Sequence, residues 1–171
     1  MKGKRGKPSA AKQKRFDPVR GWQIIKTTLV GSMPEPQTAK GHAQIILPAY
    51  AALSMLEKGG LDEDGYFTLN SMNAVLYWLA CYTSNQGTER VKTAMTENIQ
   101  TTYATADALA SIAERFKRQG KYGGSGEELQ QIRSMIVMLD QLAEAAPFNL
   151  VVKALQEAQR MIAQYMNQRA A

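Results

Sequence analysis

Residues 88–118 read TERVKTAMTENIQTTYATADALASIAERFKR, and this stretch decides the fold class. Val91, Met95, Asn98, Thr102, Ala106, Leu109, Ala113 and Phe116 recur at steps of three and four, which puts them on one face of an α-helix. Thr88-Glu89 supplies the start, and the helix spans roughly 45 Å at 1.5 Å per residue. Its middle is rich in threonine and alanine (Thr101, Thr102, Ala104, Thr105, Ala106), which lets a neighbouring helix approach closely.

The flanking segments repeat the pattern. Upstream, Asp62-Glu63-Asp64 is an acidic helix entry, with Thr68 as a rival cap and Gly65 as a weakness. Leu69, Met72, Leu76, Leu79 and Thr83 line one side of this helix. Val75, Trp78, Cys81 and Tyr82 widen the stripe, marking the helix as the central one, and Asn85-Gln86-Gly87 ends it. Before it, a helix beginning near Lys40 or Gln44 runs through Leu53 and Leu56 to a left-handed glycine stop at Gly59-Gly60. Pro48 predicts a break or irregular turn near residues 45–48. Asp17-Pro18 reads as a cap followed by a first-turn proline, and Val19, Trp22, Ile25 and Leu29 form a stripe that ends at Gly31 and Met33–Pro36.

Downstream, Arg118–Gly124 is a loop, and Ser125-Gly126-Glu127-Glu128 matches a capping box. Leu129, Ile132, Ile136, Leu139 and Ala143 form the buried face that follows. Ala146-Pro147 breaks the chain before a last helix carrying Leu150, Val151, Ala154, Leu155, Ala158, Met161, Ile162 and Tyr165. No segment alternates like a strand. The reading is all-α: a bundle of five or six mostly antiparallel helices over residues 17–171, behind a disordered basic tail at 1–16.

Charge is distributed unevenly over the 171 residues, whose net charge is +6. Residues 1–20 hold Lys2, Lys4, Arg5, Lys7, Lys12, Lys14, Arg15 and Arg20 against Asp17, a net +7, which leaves −1 for the rest. Lysines and arginines on a glycine-containing segment pair with phosphates and release counterions, giving sequence-independent, salt-sensitive affinity. An acidic protein surface, or no specific partner, is the alternative for this tail. A secondary basic patch is placed at Arg115, Lys117, Arg118 and Lys121 with Tyr122, although cations at a helix C-terminus also simply complement the dipole.

Residues suited to catalysis are few. His42 is the one histidine, has no cysteine or acid at ligand spacing, and reads as an ordinary polar residue of a loop or helix start. Cys81, the single cysteine, lies among Leu76, Leu79 and Tyr82 and is expected in the core. The acids sit mostly at helix starts (Asp17, Asp62, Glu89, Glu127, Glu128), where capping and the dipole account for them. Gly123-Gly124-Ser125-Gly126 resembles an anion-binding loop, but Glu127 and Glu128 fill its first turn. No catalytic residue, metal site or cofactor is expected. Asn70 and Asn73 are read as buried structural polar groups, and the aromatics as core unless Trp78 or Tyr82 proves exposed. With one cysteine, no apolar run near the ~20 residues of a membrane span and no signal-like segment, a cytoplasmic protein is expected.

Several of these features together resemble a group of small uncharacterised helical proteins of proteobacterial prophages and other mobile elements. They are the basic start, Leu56 to Gly59 before Asp62, Asn73, Gly87, Arg115, Gly120, Gly126-Glu127-Glu128-Leu129, Gln141-Leu142 and Ala154-Leu155. The resemblance covers about residues 15–165, with Pro48 and Met33–Gln37 departing from it. It implies an accessory role and no activity, cofactor or catalytic residue.

Two functional expectations follow. In the first, the bundle carries a tail that contacts nucleic acid without base readout, with Lys117, Arg118 and Lys121 as secondary contacts. In the second, the bundle surface binds a protein, as an inhibitor, adaptor or virion component of a mobile element. The aromatic helix and Met161, Tyr165 and Met166 are the first places to look for that surface.

Overall fold

The computed structural model describes residues 39–170, with side chains from His42 to Gln164. The basic segment 1–16 and the helix predicted from Asp17 lie outside the described residues. Those described form five helices and no strand: α1 (Ala39–Glu57), α2 (Glu63–Gln86), α3 (Glu89–Gln119), α4 (Gly126–Ala145) and α5 (Phe148–Ala170).

The local signals of the sequence act as helix boundaries. Asp62 Oδ1 accepts the Gly65 N–H at 2.8 Å and caps α2. Thr68, the rival cap, lies inside α2 and donates to the Asp64 carbonyl. At Gly65 a Cβ would lie 2.5 Å from Leu61 Cδ1, so a larger residue there would push the Leu61 side chain aside. Ser125 and Glu128 form both halves of the capping box that opens α4. Two left-handed glycines, Gly59 (φ 69) and Gly120 (φ 71), close α1 and α3.

Pro48 does not break α1, contrary to the expectation from its missing N–H. Proline inside a helix costs about 3 kcal/mol. The same helix buries Ile45, Ile46, Leu53 and Leu56, with Ala49 and Ala52 between them. Four large aliphatic side chains at about 1.5–3 kcal/mol each outweigh one proline, so tertiary burial keeps the helix continuous.

Central α2 packs against each of the other four helices, as its wide apolar stripe predicts. Leu69, Met72, Leu76 and Leu79 join Leu109 and Ile112 of α3, Ile132, Met135, Ile136 and Leu139 of α4, and Ala154 and Leu155 of α5 in one continuous core. The α1–α2, α2–α3 and α3–α4 turns are short, so these neighbours run antiparallel. The face of α3 is rotated from the predicted one. Ala106 is exposed and Phe116 is 37% exposed, while Thr105, Ala108 and Ile112 are buried. The predicted face included Thr102 but passed over Thr105, which reads as polar and is fully buried here. Thr102 and Thr105 bond their hydroxyls back to the Ile99 and Thr101 carbonyls at 2.7 and 2.8 Å, so neither brings an unpaired donor into the core. Asn73 of α2 then donates to the Thr102 carbonyl at 3.0 Å, in keeping with its expected structural role, whereas Asn70 bonds the Tyr66 carbonyl within its own helix.

Candidate functional site

Three side-chain clusters lie at the margin of the apolar core. The first ties α1 to α4. His42 Nε2 lies 3.1 Å from the Asp140 carbonyl oxygen and 2.9 Å from Asp140 Oδ1. Both neighbours are acceptors, so the proton sits on Nε2. Tyr50 donates to Asp140 Oδ2 at 3.1 Å; burial, then Asp140, raises its hydroxyl above the ordinary tyrosine range. The partner of His42 is 98 positions away and was invisible in the sequence. The geometry of the cluster is that of a tether between α1 and α4.

The second cluster holds the α3–α4 turn. Tyr122 stacks on Phe116 at 4.1 Å and on Tyr66 at 5.1 Å and is only 7% exposed. Burial, then Glu63 and Tyr66, pushes its hydroxyl up to about 12. Arg115 binds the Gly123 carbonyl and pairs with Glu128 at 2.9 Å. Burial opposes the Glu128 charge, but hydrogen bonds from Arg115, Ser111 and the Ser125 N–H outweigh it and hold the carboxyl down at about 2. The glycine loop before α4 is therefore occupied by its own cap and by Arg115. Of the secondary basic patch, Arg115 and Tyr122 are structural members of this corner. Lys117, Arg118 and Lys121 are exposed, with Lys117 paired to Glu114 at 2.5 Å. Lys2, Lys4, Arg5, Lys7, Lys12, Lys14, Arg15 and Arg20 lie outside the described residues.

The third cluster crosses three helices at the surface. Tyr103 of α3 is 54% exposed and lies 6.1 Å from Tyr77 of α2, centroid to centroid. Tyr77 meets Trp78 edge-on at 5.4 Å, and Trp78 stacks on Tyr82 at 5.9 Å. Lys153 of α5 places its Nζ 4.5 Å over the Tyr82 ring. The track runs unbroken from Tyr103 to Lys153, and α3 and α5, both packed on α2, make little contact with each other above it. Trp78 and Tyr82 are half-buried, packed on the core from one side and open on the other.

Cys81 sits beside this track and is half-buried, not enclosed in the core as expected, because among the described residues the α2 face between α3 and α5 is left partly uncovered. Burial raises its thiol while the Tyr77 hydrogen bond opposes the rise, so it stays protonated near neutrality. Its sulfur, with the Tyr103 hydrogen bond, pushes the Tyr77 hydroxyl up to about 12. Under the track the Trp78 indole Nε1–H is buried without an acceptor, which marks a strip not optimised for packing alone. Sequence reasoning named Trp78 and Tyr82 as conditional surface residues but missed Tyr103. Its position three residues from Ala106 placed it beside a stripe that the structure rotates.

Smaller exposed apolar groups are Leu47 at 62% and Val137 at 39%, on α1 and α4, and Met161 at 41% on α5. The side chains of Tyr165 and Met166 lie outside the described ones. Among the described residues no group of histidine, cysteine and acid is placed to hold a metal ion, and no helix is long and apolar enough to cross a membrane. No protein-family model matches the chain, and neither does a curated protein or a solved structure.

Proposed function

We propose that this chain is a non-enzymatic binding protein whose basic segment contacts nucleic acid through phosphates, with the helical bundle as its carrier. The observation that carries this reading is the charge partition: +7 on residues 1–20 against −1 on the remainder. Of the ten lysines and arginines whose side chains are described in the bundle, five are paired with carboxylates. Arg115 pairs with Glu128, Lys117 with Glu114, Arg133 with Glu57, Lys92 with Glu89 and Arg160 with Glu157. Lys2, Lys4, Arg5, Lys7, Lys12, Lys14, Arg15 and Arg20 then supply the electrostatic term, with Lys117, Arg118 and Lys121 as secondary contacts. No single lysine is decisive in such a mode, but the segment as a whole is.

The test compares the full chain with one lacking residues 1–16 for binding to labelled nucleic acid across a salt series. A steep salt dependence that disappears with the segment supports the reading. Equal binding by both chains, or none by either at about 100 mM salt, removes it.

The second reading is a protein-interaction factor acting through the bundle surface, the role that the likeness to mobile-element proteins implies. The exposure of Leu47, Tyr103, Val137 and Met161 on the bundle surface is the observation that favours it. Saturable binding of the truncated chain to a protein partner, with no nucleic-acid affinity in the full chain, is its signature.

A further inference from the structure

We propose that the aromatic track from Tyr103 to Lys153 is a stacking surface for single-stranded nucleic acid. This rests on the nucleic-acid reading above and narrows its partner class from any polyanion to a single strand. The track has the two components such a partner needs. Tyr103 offers a ring with more than half its area open at 54%, beside half-buried Tyr77. At the other end Lys153 over Tyr82 supplies a cation. Further along α5, Glu157 and Arg160 pair with each other at 2.7 Å, so Lys153 is the cation that leaves this edge net positive.

Aromatic side chains stack on bases irrespective of sequence, because every base has a π-face, while cations beside them follow the phosphates. A duplex offers phosphates but hides its base faces within the stack. A single strand offers both at once. The charged segment 1–20 alone does not discriminate between them, so discrimination falls to the rings. The consecutive rings lie 6.1, 5.4 and 5.9 Å apart across α3 and α2, a surface along which adjacent nucleotides of a strand are engaged together. The half-covered face of α2, with Trp78 and Tyr82 half-buried on it, is explained as a surface kept open for contact.

The test uses the full chain and labelled oligothymidylate, with a duplex of equal length as comparison, over a salt series. The wild type should prefer the single strand. Tyr103→Ala should weaken single-strand binding about tenfold with an unchanged salt slope, and leave duplex binding as it was. Tyr103→Phe should retain wild-type affinity because it keeps the ring. Circular dichroism establishes that each variant is folded; exposed Tyr103 can be replaced without opening the core. Equal affinity for single strand and duplex, or a Tyr103→Ala chain that binds oligothymidylate like wild type, overturns the stacking surface while leaving the phosphate-contacting segment in place. Absence of binding to either nucleic acid overturns both.

Discussion

At one end of the bundle Tyr122 is buried against Tyr66 and Phe116, while midway along α3 Tyr103 leaves most of its surface to solvent. Both tyrosines meet other aromatic rings, and both clusters include a cation. They differ in how fully their groups are enclosed. At the corner, Arg115 is saturated by Gly123, Glu128 and Ser111, and Glu128 is itself bonded to the Ser125 N–H. Along the track, Lys153 meets only a ring face in the interactions described for it, and the Trp78 N–H has no acceptor. A saturated, buried cluster holds a turn in place. An open one, with ring faces at the surface, is available to a partner. Aromatic composition alone does not separate the two cases, whereas burial and polar satisfaction do.

Tyr122→Ala should show the largest effect. Removing a ring stacked on two others and 7% exposed should cost about 3 kcal/mol, read as a lower midpoint in urea unfolding. A cost under about 1 kcal/mol would break the contrast between corner and track.

Acid should act next. The Glu128 carboxyl titrates at about 2 in the fold and near about 4.3 when unfolded. The unfolded chain therefore takes up the proton first. The stabilisation is complete above about pH 5 and is lost as the pH falls toward 2. Its size is about 1–2 kcal/mol after solvent screening is discounted. Urea unfolding of wild type and Glu128→Gln should differ at pH 7 and converge near pH 2.

Ser125→Ala removes the side-chain half of the capping box and should cost about 1 kcal/mol in the same assay. The smallest stability effect belongs to Tyr103→Ala, within about 0.5 kcal/mol. A large loss there would make Tyr103 a packing residue and collapse the distinction between the two clusters.

Much of the architecture was legible in local sequence because its determinants are local. Asp62, Ser125 with Glu128, Gly59 and Gly120 act through backbone groups within a few residues of themselves. A cap or a left-handed glycine behaves alike whatever packs nearby. The apolar period of α2 likewise announces a central helix, since a wide stripe needs neighbours on several sides. The charge partition is a property of the sequence alone.

The tertiary structure decided the rest, wherever two distant segments compete or combine. Pro48 stays helical because burial of its neighbours outweighs its local penalty. The face of α3 turns because Thr105 satisfies its hydroxyl within the helix and can be buried where Ala106 was expected. His42 finds Asp140, and Arg115 joins Glu128 and Gly123 instead of forming a free basic patch. The aromatic track exists only because α3 and α5 flank α2 without closing over it. Periodicity places each ring on a helix face, but whether that face is covered depends on the packing of helices far apart in the chain.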